Sequence, residues 1–332
     1  MTKIYKVLIV GAGKIAGGFD AHRTAKQPPL SHAKAYLQHG GFELIAVAEP
    51  DRAKRDAFCQ HWSVPEACDA LSALQGREGD FDVISICSST LSHAADLQAA
   101  IALRPKLIFC EKPVTDSVDS TRLWVEACEQ AGIPLVVAYL RRWAPDVIRL
   151  GLELQSGRWG KVRSVTATYN KGVLNNGSHM ADLLHYLFGD LTVQAVGRPV
   201  VDAFPDDPSI PAFLTAQDGL PISLNIADAG DYAHFEVQII AEKGVIAMEN
   251  GGTRWRLRRV VDSATFEGYR ELDQGELVSG EVEHAFRHAV ANIYTALSDN
   301  VALASTGRTA MAAQQLCEQI REAAFAADTH TV

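Results

Sequence analysis

Lys112 stands in Leu107-Ile108-Phe109-Cys110-Glu111-Lys112-Pro113, directly after an apolar run. A lysine at the carboxyl end of a buried strand, partly stripped of water, can hydrogen-bond a substrate hydroxyl. It can also stabilise the oxyanion that forms as a hydride leaves. An ion pair between Glu111 and Lys112 at a solvated strand end is the plain alternative. A second cluster is Asn175-Asn176-Gly177-Ser178-His179-Met180-Ala181-Asp182, with His185 beyond it. Gly177 and Ser178 suit the start of a helix, which puts His179 in its first turn and Asp182 on the same face. A histidine can take or return an alcohol proton near neutral pH. It can equally be a structural residue of an amphipathic helix. His179, Asp182 and His185 occupy neighbouring turns, a spacing open to a metal. No fourth ligand is apparent and a cofactor gives the pair a better use, so no metal is expected. His284 and His288, one turn apart among charges, read as a solvated face.

Such groups need a cofactor, and the chain start provides for one. Lys6-Val7-Leu8-Ile9-Val10 runs into Gly11-Ala12-Gly13-Lys14-Ile15-Ala16, which is how a buried parallel strand enters a dinucleotide-binding turn. Gly11 makes the tight turn, Gly13 lets backbone approach a pyrophosphate, and Ala16 lets the following helix pack on the strand. Phosphates would face the N–H groups at that helix's N-terminus, around Lys14 and Ile15. Glu49 ends the next strand, where a carboxylate accepts from ribose hydroxyls and repels a 2′-phosphate; NAD is therefore expected ahead of NADP. The spacing is longer than usual because a loop, Phe19–Leu30 with Pro28-Pro29, intervenes. Arg52 could instead meet a phosphate, and Glu49 could merely begin a turn and cap the next helix.

The elements that hold these groups follow from patterning. Apolar runs at Lys6–Val10, Glu43–Ala48, Val83–Cys87, Leu107–Cys110 and Pro134–Tyr139 alternate with helical segments Ser31–His39, Arg52–His61, Ser92–Leu103 and Val118–Ala131. This predicts a doubly wound parallel sheet. Strands then follow with little helix: Lys161–Tyr169, Thr192–Val201, Ala212–Asp218, Leu220–Ala227, His234–Ala241, Gly244–Glu249 and Thr253–Val261. Asp218-Gly219 and Lys243-Gly244 suit hairpin turns. Helices are expected near Ser178–Phe188, Glu281–Ser298 and Arg308–Ala326. The expected division is a dinucleotide-binding domain over 1–142 and a substrate-binding domain over 143–332. The seam lies near Arg141–Pro145, with a ligand beyond the carboxyl ends of the parallel strands, facing the second domain.

The chain of 332 residues, 47% hydrophobic and 21% charged, has room for two cores. Its formal net charge of -9 argues against a nucleic-acid surface. No apolar run is long enough to span a bilayer. No basic region and cleavage site precede the first strand. Six cysteines without Cys-x-x-Cys pairing read as free thiols of a reducing compartment, so the cytoplasm is the expected location.

Together these segments resemble the glucose-fructose oxidoreductase / inositol dehydrogenase (Gfo/Idh/MocA) family over nearly the whole chain. Glu111-Lys112-Pro113 looks like its Glu-Lys-Pro motif, and Cys87-Ser88-Ser89-Thr90-Leu91-Ser92-His93 is similar to its Ala-Thr-Pro-Asn-x-x-His segment. Arg142-Trp143-Ala144-Pro145 resembles its Arg-Phe-x-Pro. Gly177-Ser178-His179-Met180-Ala181-Asp182 with Leu187-Phe188-Gly189 looks like its Gly-x-His-x-x-Asp…Leu-x-Gly helix.

The resemblance implies an α/β Rossmann domain followed by an α+β domain on a large open antiparallel sheet, whose outer face makes homodimers or homotetramers. It implies hydride transfer between NAD(P) and a carbon of a sugar, cyclitol or nucleotide-sugar. Lys112 would touch nicotinamide ribose and substrate, His179 would exchange the proton, and Ser88, His93 and Glu111 would join the cofactor-binding set. A cis Lys112–Pro113 peptide is also implied. The family's aspartate four residues before the histidine is here Asn175, which can orient an imidazole or a substrate hydroxyl but not stabilise imidazolium by charge. Either His179 works with weaker electrostatic support, or Asp182 supplies it, or Asn175-Asn176 marks a subgroup reading a different substrate. Arg141, Arg142, Tyr169, Asn170, Lys171 and Asn176 are expected to line a polar substrate cleft, and the basic groups would suit an anionic substrate. Salt bridging at the domain seam is an equal reading of either arginine. The rival function is a non-catalytic NAD-binding sensor or corepressor of this fold; the presence of both Lys112 and His179 argues against it.

Overall fold

Short β-branched runs bounded by glycine and polar turns form strands buried on both faces, which is the condition for a parallel sheet covered by helices. The computed structural model describes residues 3–328, so the expected domain limits at residues 1 and 332 lie outside them. Two compact units are present, Met1–Trp143 with Glu283–Met311, and Ala144–Val282 with Ala312–Val332.

In the first unit, strands β1 (Tyr5–Val10), β2 (Phe42–Ala48), β3 (Glu66–Cys68), β4 (Val83–Ile86), β5 (Leu107–Cys110) and β6 (Leu135–Val137) form one sheet in the order β3-β2-β1-β4-β5-β6. Every pairing is parallel. The order reverses between β1 and β4, which makes the crevice beyond their carboxyl ends the place for a ligand. Helices α1 (His32–His39), α2 (Arg52–Trp62), α3 (Thr90–Ala102) and α4 (Val118–Gln130) form the connections. The helix expected straight after the glycine turn is reduced to one turn. Gly17 and Gly18 donate to Gly13 O, Phe19 N donates to Lys14 O, and a 3-10 segment covers Gly18–Asp20. Two consecutive glycines lower helix propensity where propagation would have to begin. Asp20, 1% exposed, then ties the loop to α1: it accepts from Leu30 N (2.8 Å) and Ser31 Oγ (2.6 Å) and pairs with Lys34 and Arg23.

Helix α5 (Pro145–Gln155) opens the second unit with proline at its first turn. Its sheet has nine strands: β7 (Val162–Tyr169), β8 (Leu191–Val196), β11 (Ala212–Ala216), β12 (Pro221–Ile226), β13 (Phe235–Ala241), β14 (Gly244–Glu249), β15 (Arg254–Asp262), β16 (Arg270–Leu272) and β17 (Glu276–Ser279). The order is β16-β15-β14-β13-β7-β12-β11-β8, with β17 also on β15. All pairs are antiparallel except β7 with β12. One face buries Val165, Ala167, Tyr169, Val237, Ile239, Ile246 and Met248, while Thr166, Thr168, Gln238 and Arg256 alternate onto the other. Two strands, β9 (Val200–Phe204) and β10 (Asp207–Ser209), form a separate arm. The single strand expected over Thr192–Val201 is therefore broken: Gly197 N turns to Pro211 O, and Pro199 has no N–H to extend the ladder. Asp218 (φ 61) and Gly219 (φ 74) make the tight β11–β12 turn, as two left-handed residues favour.

Helix α6 (Gly177–Phe188) carries the histidine cluster. Helix α7 (Ala285–Asp299) belongs to the first unit, because Phe286, Ala289, Val290 and Ile293 share a core with β1 and α1. The expected second domain, 143–332, would have taken this segment. The last helix, α8, covers Gly307–Asp328. No described helix is long and apolar enough to cross a membrane.

Candidate active site

At the reversal point of the parallel sheet lies a cavity of about 490 Å3, lined among others by Gly11, Gly13, Glu49, Ser88, Ser89 and Asp96. Gly11 has φ +86, and a Cβ there would sit 2.8 Å from Cys87 O and Ser88 N, so the turn admits no side chain. Gly13 differs: a Cβ would meet nothing within 4 Å. Its missing side chain leaves open space instead of relieving a protein contact. Lys14 is exposed and Ile15 half-buried in the same turn.

Glu49, 8% exposed, accepts from Ala12 N at 2.8 Å through Oε2 and from Asp51 N at 2.9 Å through Oε1. The carboxylate is thus a fixed acceptor aimed into the cavity from the end of β2, with lone pairs remaining for hydroxyl donors. Helix capping, the competing role, is performed by Asp51, which accepts from Ala53 and Lys54 N. Arg52 faces solvent, paired with Asp56 at 3.5 Å. Lys54 and Asp69 also border the cavity, so its charged lining is Glu49, Asp69 and Asp96 against Lys54. Burial pushes the Asp96 carboxyl up, partly offset by the hydrogen bond it accepts from Ser88 Oγ at 2.5 Å. Desolvation holds the Cys87 thiol well above its usual range, so it lines the cavity as an unreactive thiol. The glycine turn, an acidic β2 end and a concave space of this size fit a dinucleotide.

Lys112 is half-buried, two residues past β5, and its peptide to Pro113 is cis. Glu111 N donates to Ile86 O at 2.9 Å, which fixes the chain just before the lysine. His93 and Glu111, expected among the cofactor contacts, both make hydrogen bonds within the protein. His93 is 1% exposed, with Nδ1 2.9 Å from Pro113 O and Nε2 3.2 Å from Ser88 O, so its ring joins two loops behind the cavity. Glu111 directs Oε1 to His32 Nε2 at 3.0 Å.

In the second unit, His179 is half-buried in the first turn of α6, and Asp182 is 1% exposed on the same face. A π-helical turn, Gly172–Asn176, leads into α6. Its free amides are capped by acids from the β9–β10 arm: Asp207 accepts from Leu174 and Asn175 N, both at 2.8 Å, and Asp202 accepts from Lys171 N at 2.7 Å. These bonds hold Lys171 in the left-handed region (φ 66), an unusual conformation for a non-glycine. Asn175 Nδ2 donates to Lys171 O at 3.1 Å, and Ser178 Oγ donates to Asn175 O at 2.9 Å.

Lys171 and Asn176 border a polar cavity of about 310 Å3 with His234, Glu236, Asn250 and Gly251. Three other expected lining residues are committed to packing. Tyr169 is 0% exposed, its hydroxyl donating to Ile210 O and accepting from Ile210 N, both at 2.9 Å. Asn170 is 0% exposed, bonded to Tyr232 O and His234 N. Arg142, 7% exposed, donates to Ala304 O. Arg141 is half-buried. Sequence reasoning missed His234 and Glu236. Their i, i+2 spacing at the start of β13 puts both on one strand face, a signal visible in the residues. It also missed Asp202 and Asp207, whose capping partners lie about thirty residues away and have no local signature.

Residues 5–139 match the family model GFO_IDH_MocA, an oxidoreductase family with an NAD-binding Rossmann fold. The chain is 24% identical over 310 residues to inositol 2-dehydrogenase of Rhizobium meliloti (strain 1021), spanning 86% of this chain and 91% of that protein. A dehydrogenase from Bordetella pertussis, solved with NADH and UDP-GlcNAcA, superposes with a TM-score of 0.76 at 16% identity, over 97% of both chains. A 3-ketoreductase from Actinomadura kijaniata with NADP gives 0.74 at 14% identity, over 97% of this chain and 98% of that one.

Proposed function

Because the chain belongs to the Gfo/Idh/MocA family and is an NAD-binding oxidoreductase, we propose that it moves a hydride between NAD and a hydroxyl-bearing carbon of a sugar, cyclitol or nucleotide-sugar. The observation that carries this reading is the cavity at the strand-order reversal, with a close backbone turn at Gly11, open space at Gly13 and the anchored acceptor Glu49. When bound, the dinucleotide supplies the hydride acceptor in oxidation and the donor in reduction. The β1–Gly13 turn would hold its pyrophosphate and Glu49 its adenosine ribose. Three acids against one lysine around that cavity favour NAD over NADP.

Lys112 donates to the reacting hydroxyl oxygen and stabilises negative charge there, and His179 takes the hydroxyl proton in oxidation and returns it in reduction. Asn175 and the Asp207 cap keep the turn before α6 in shape, and Asp182 supports His179 from the same helix face. His234, Glu236, Asn176 and Asn250 supply donors and acceptors suited to a polyhydroxylated substrate. A second copy on the open sheet face completes a homodimer, or a homotetramer with further pairing. The location that suits its free cysteines is the cytoplasm.

A panel of sugars, inositols, sugar acids and nucleotide-sugars, read at the NADH absorbance band, tests the assignment. Lys112→Ala and His179→Ala are expected to lower kcat at least a hundredfold at saturating cofactor, with NAD affinity within a few-fold. NAD binding without turnover on any member of the panel would shift the assignment to the sensor. Near-normal turnover by either variant would remove that residue from the mechanism.

A further inference from the structure

Four polar side chains, three of them buried in the first unit's core and Glu111 half-buried, lie together under the carboxyl ends of β4 and β5. His32, the first residue of α1, is 0% exposed, with its ring centroid 4.5 Å from that of Phe109 and 5.0 Å from that of Phe286. Its Nε2 lies 3.0 Å from Glu111 Oε1 and its Nδ1 3.1 Å from Ser85 Oγ. Ser85 Oγ is in turn 2.8 Å from the Tyr36 hydroxyl. Ser85 and Tyr36 are also 0% exposed. Buried polar groups in such surroundings persist only when paired.

Hydrogen counting orders the chain. A carboxylate only accepts, so the proton facing Glu111 sits on His32 Nε2. In the neutral ring Nδ1 is then an acceptor, and among the described residues its donor is the Ser85 hydroxyl. Burial pushes the Tyr36 phenol far above its ordinary range, so it remains a hydroxyl and donates to Ser85 Oγ. Three bonds then run one way, from Tyr36 to Ser85 to His32 to Glu111. The last acceptor is the residue before Lys112.

We infer that His32 is a positioning residue that acts through Glu111, with Ser85 and Tyr36 selecting its tautomer. The inference rests on the role proposed above for Lys112. A carboxylate one residue from an ammonium would, if unanchored, be free to pair with it and draw it away from a substrate hydroxyl. His32 occupies one oxygen of that carboxylate and fixes where its charge lies. The Tyr36 and Ser85 hydroxyls keep the proton off Nδ1, because that nitrogen accepts from Ser85 Oγ, and a proton there in place of Nε2 would leave Glu111 without a donor. Core packing alone would be met by leucine or phenylalanine here.

The full-length protein with 15N-labelled histidine tests the relay without turnover. Ring-nitrogen shifts are expected to show the proton of His32 on Nε2, and Glu111→Gln is expected to move them. A proton on Nδ1, or shifts indifferent to Glu111→Gln, overturns the relay. Kinetics then test its use on the substrate found by the panel. His32→Leu is expected to lower kcat about tenfold or more, with NAD Kd within twofold. His32→Gln, which keeps a donor for Glu111, recovers most of that loss. His32→Leu added to Glu111→Gln costs less than twofold further. A loss that His32→Gln fails to rescue, or that multiplies fully with Glu111→Gln, marks His32 as structural only. Failure of the role proposed for Lys112 would instead appear as undiminished turnover in Lys112→Ala, with the ring-nitrogen result still deciding the relay.

Discussion

Glu49→Gln isolates the charge at the end of β2 while keeping its shape. Glu49 accepts from Ala12 N at 2.8 Å and Asp51 N at 2.9 Å, so its carboxylate is held still and cannot swing away from an incoming phosphate. A unit negative charge 4 Å from another costs roughly 4 kcal/mol at an effective dielectric constant of about 20, which is about a thousandfold in affinity. Removing the charge lifts that penalty on a 2′-phosphate. For NAD the loss is a charge-assisted hydrogen bond to a ribose hydroxyl, about 1.5–3 kcal/mol, or ten- to a hundredfold in Kd. The two effects pull the cofactors in opposite directions. The ratio Kd(NADP)/Kd(NAD) should therefore fall at least a hundredfold. Titration of NADH and NADPH fluorescence on both proteins reads this ratio directly. Local damage from the misplaced amide weakens both cofactors alike and cancels in it. A ratio unchanged within threefold, or tighter NADP binding by the unsubstituted protein, would refute the argument.

Two glycines should separate binding from folding. Gly13→Ala meets no protein atom, so the melting temperature should hold while NAD affinity falls tenfold or more; unchanged affinity would remove Gly13 from the phosphate site. Gly172→Ala, at φ +83 and against the Asp207 carboxylate, should cost about 2–3 kcal/mol, through a strained backbone and a displaced cap. Denaturant titration reads that cost, and a loss below about 0.5 kcal/mol would discount the cap. Asp96 supplies a pH test. Its carboxyl is raised by burial in the folded state, so folding takes up a proton. Stability then falls as pH rises from the unfolded value of about 3.9 through the raised folded value. Asp96→Asn removes this slope, so its melting temperature should gain on the unsubstituted protein as pH goes from 4 to 8; a constant offset would contradict the shift.

Local patterning determined the parallel sheet, the glycine turn, the acid ending β2 and the lysine after β5. Each is a short-range consequence of strand periodicity and turn chemistry. The same reasoning put His179 in the first turn of α6, because helix starts carry their own residue signals. Tyr169 and Asn170 looked like cleft residues because a polar side chain after a strand says nothing about which face will be covered. Only the packed sheet decided that they are core. The Asp207 cap, the return of α7 to the first unit and the contact of His32 with Glu111 join residues from about thirty to well over a hundred positions apart. Such pairings carry no sequence period. They exist because a buried amide, imidazole or apolar helix face must find its partner wherever the folded chain brings one within reach.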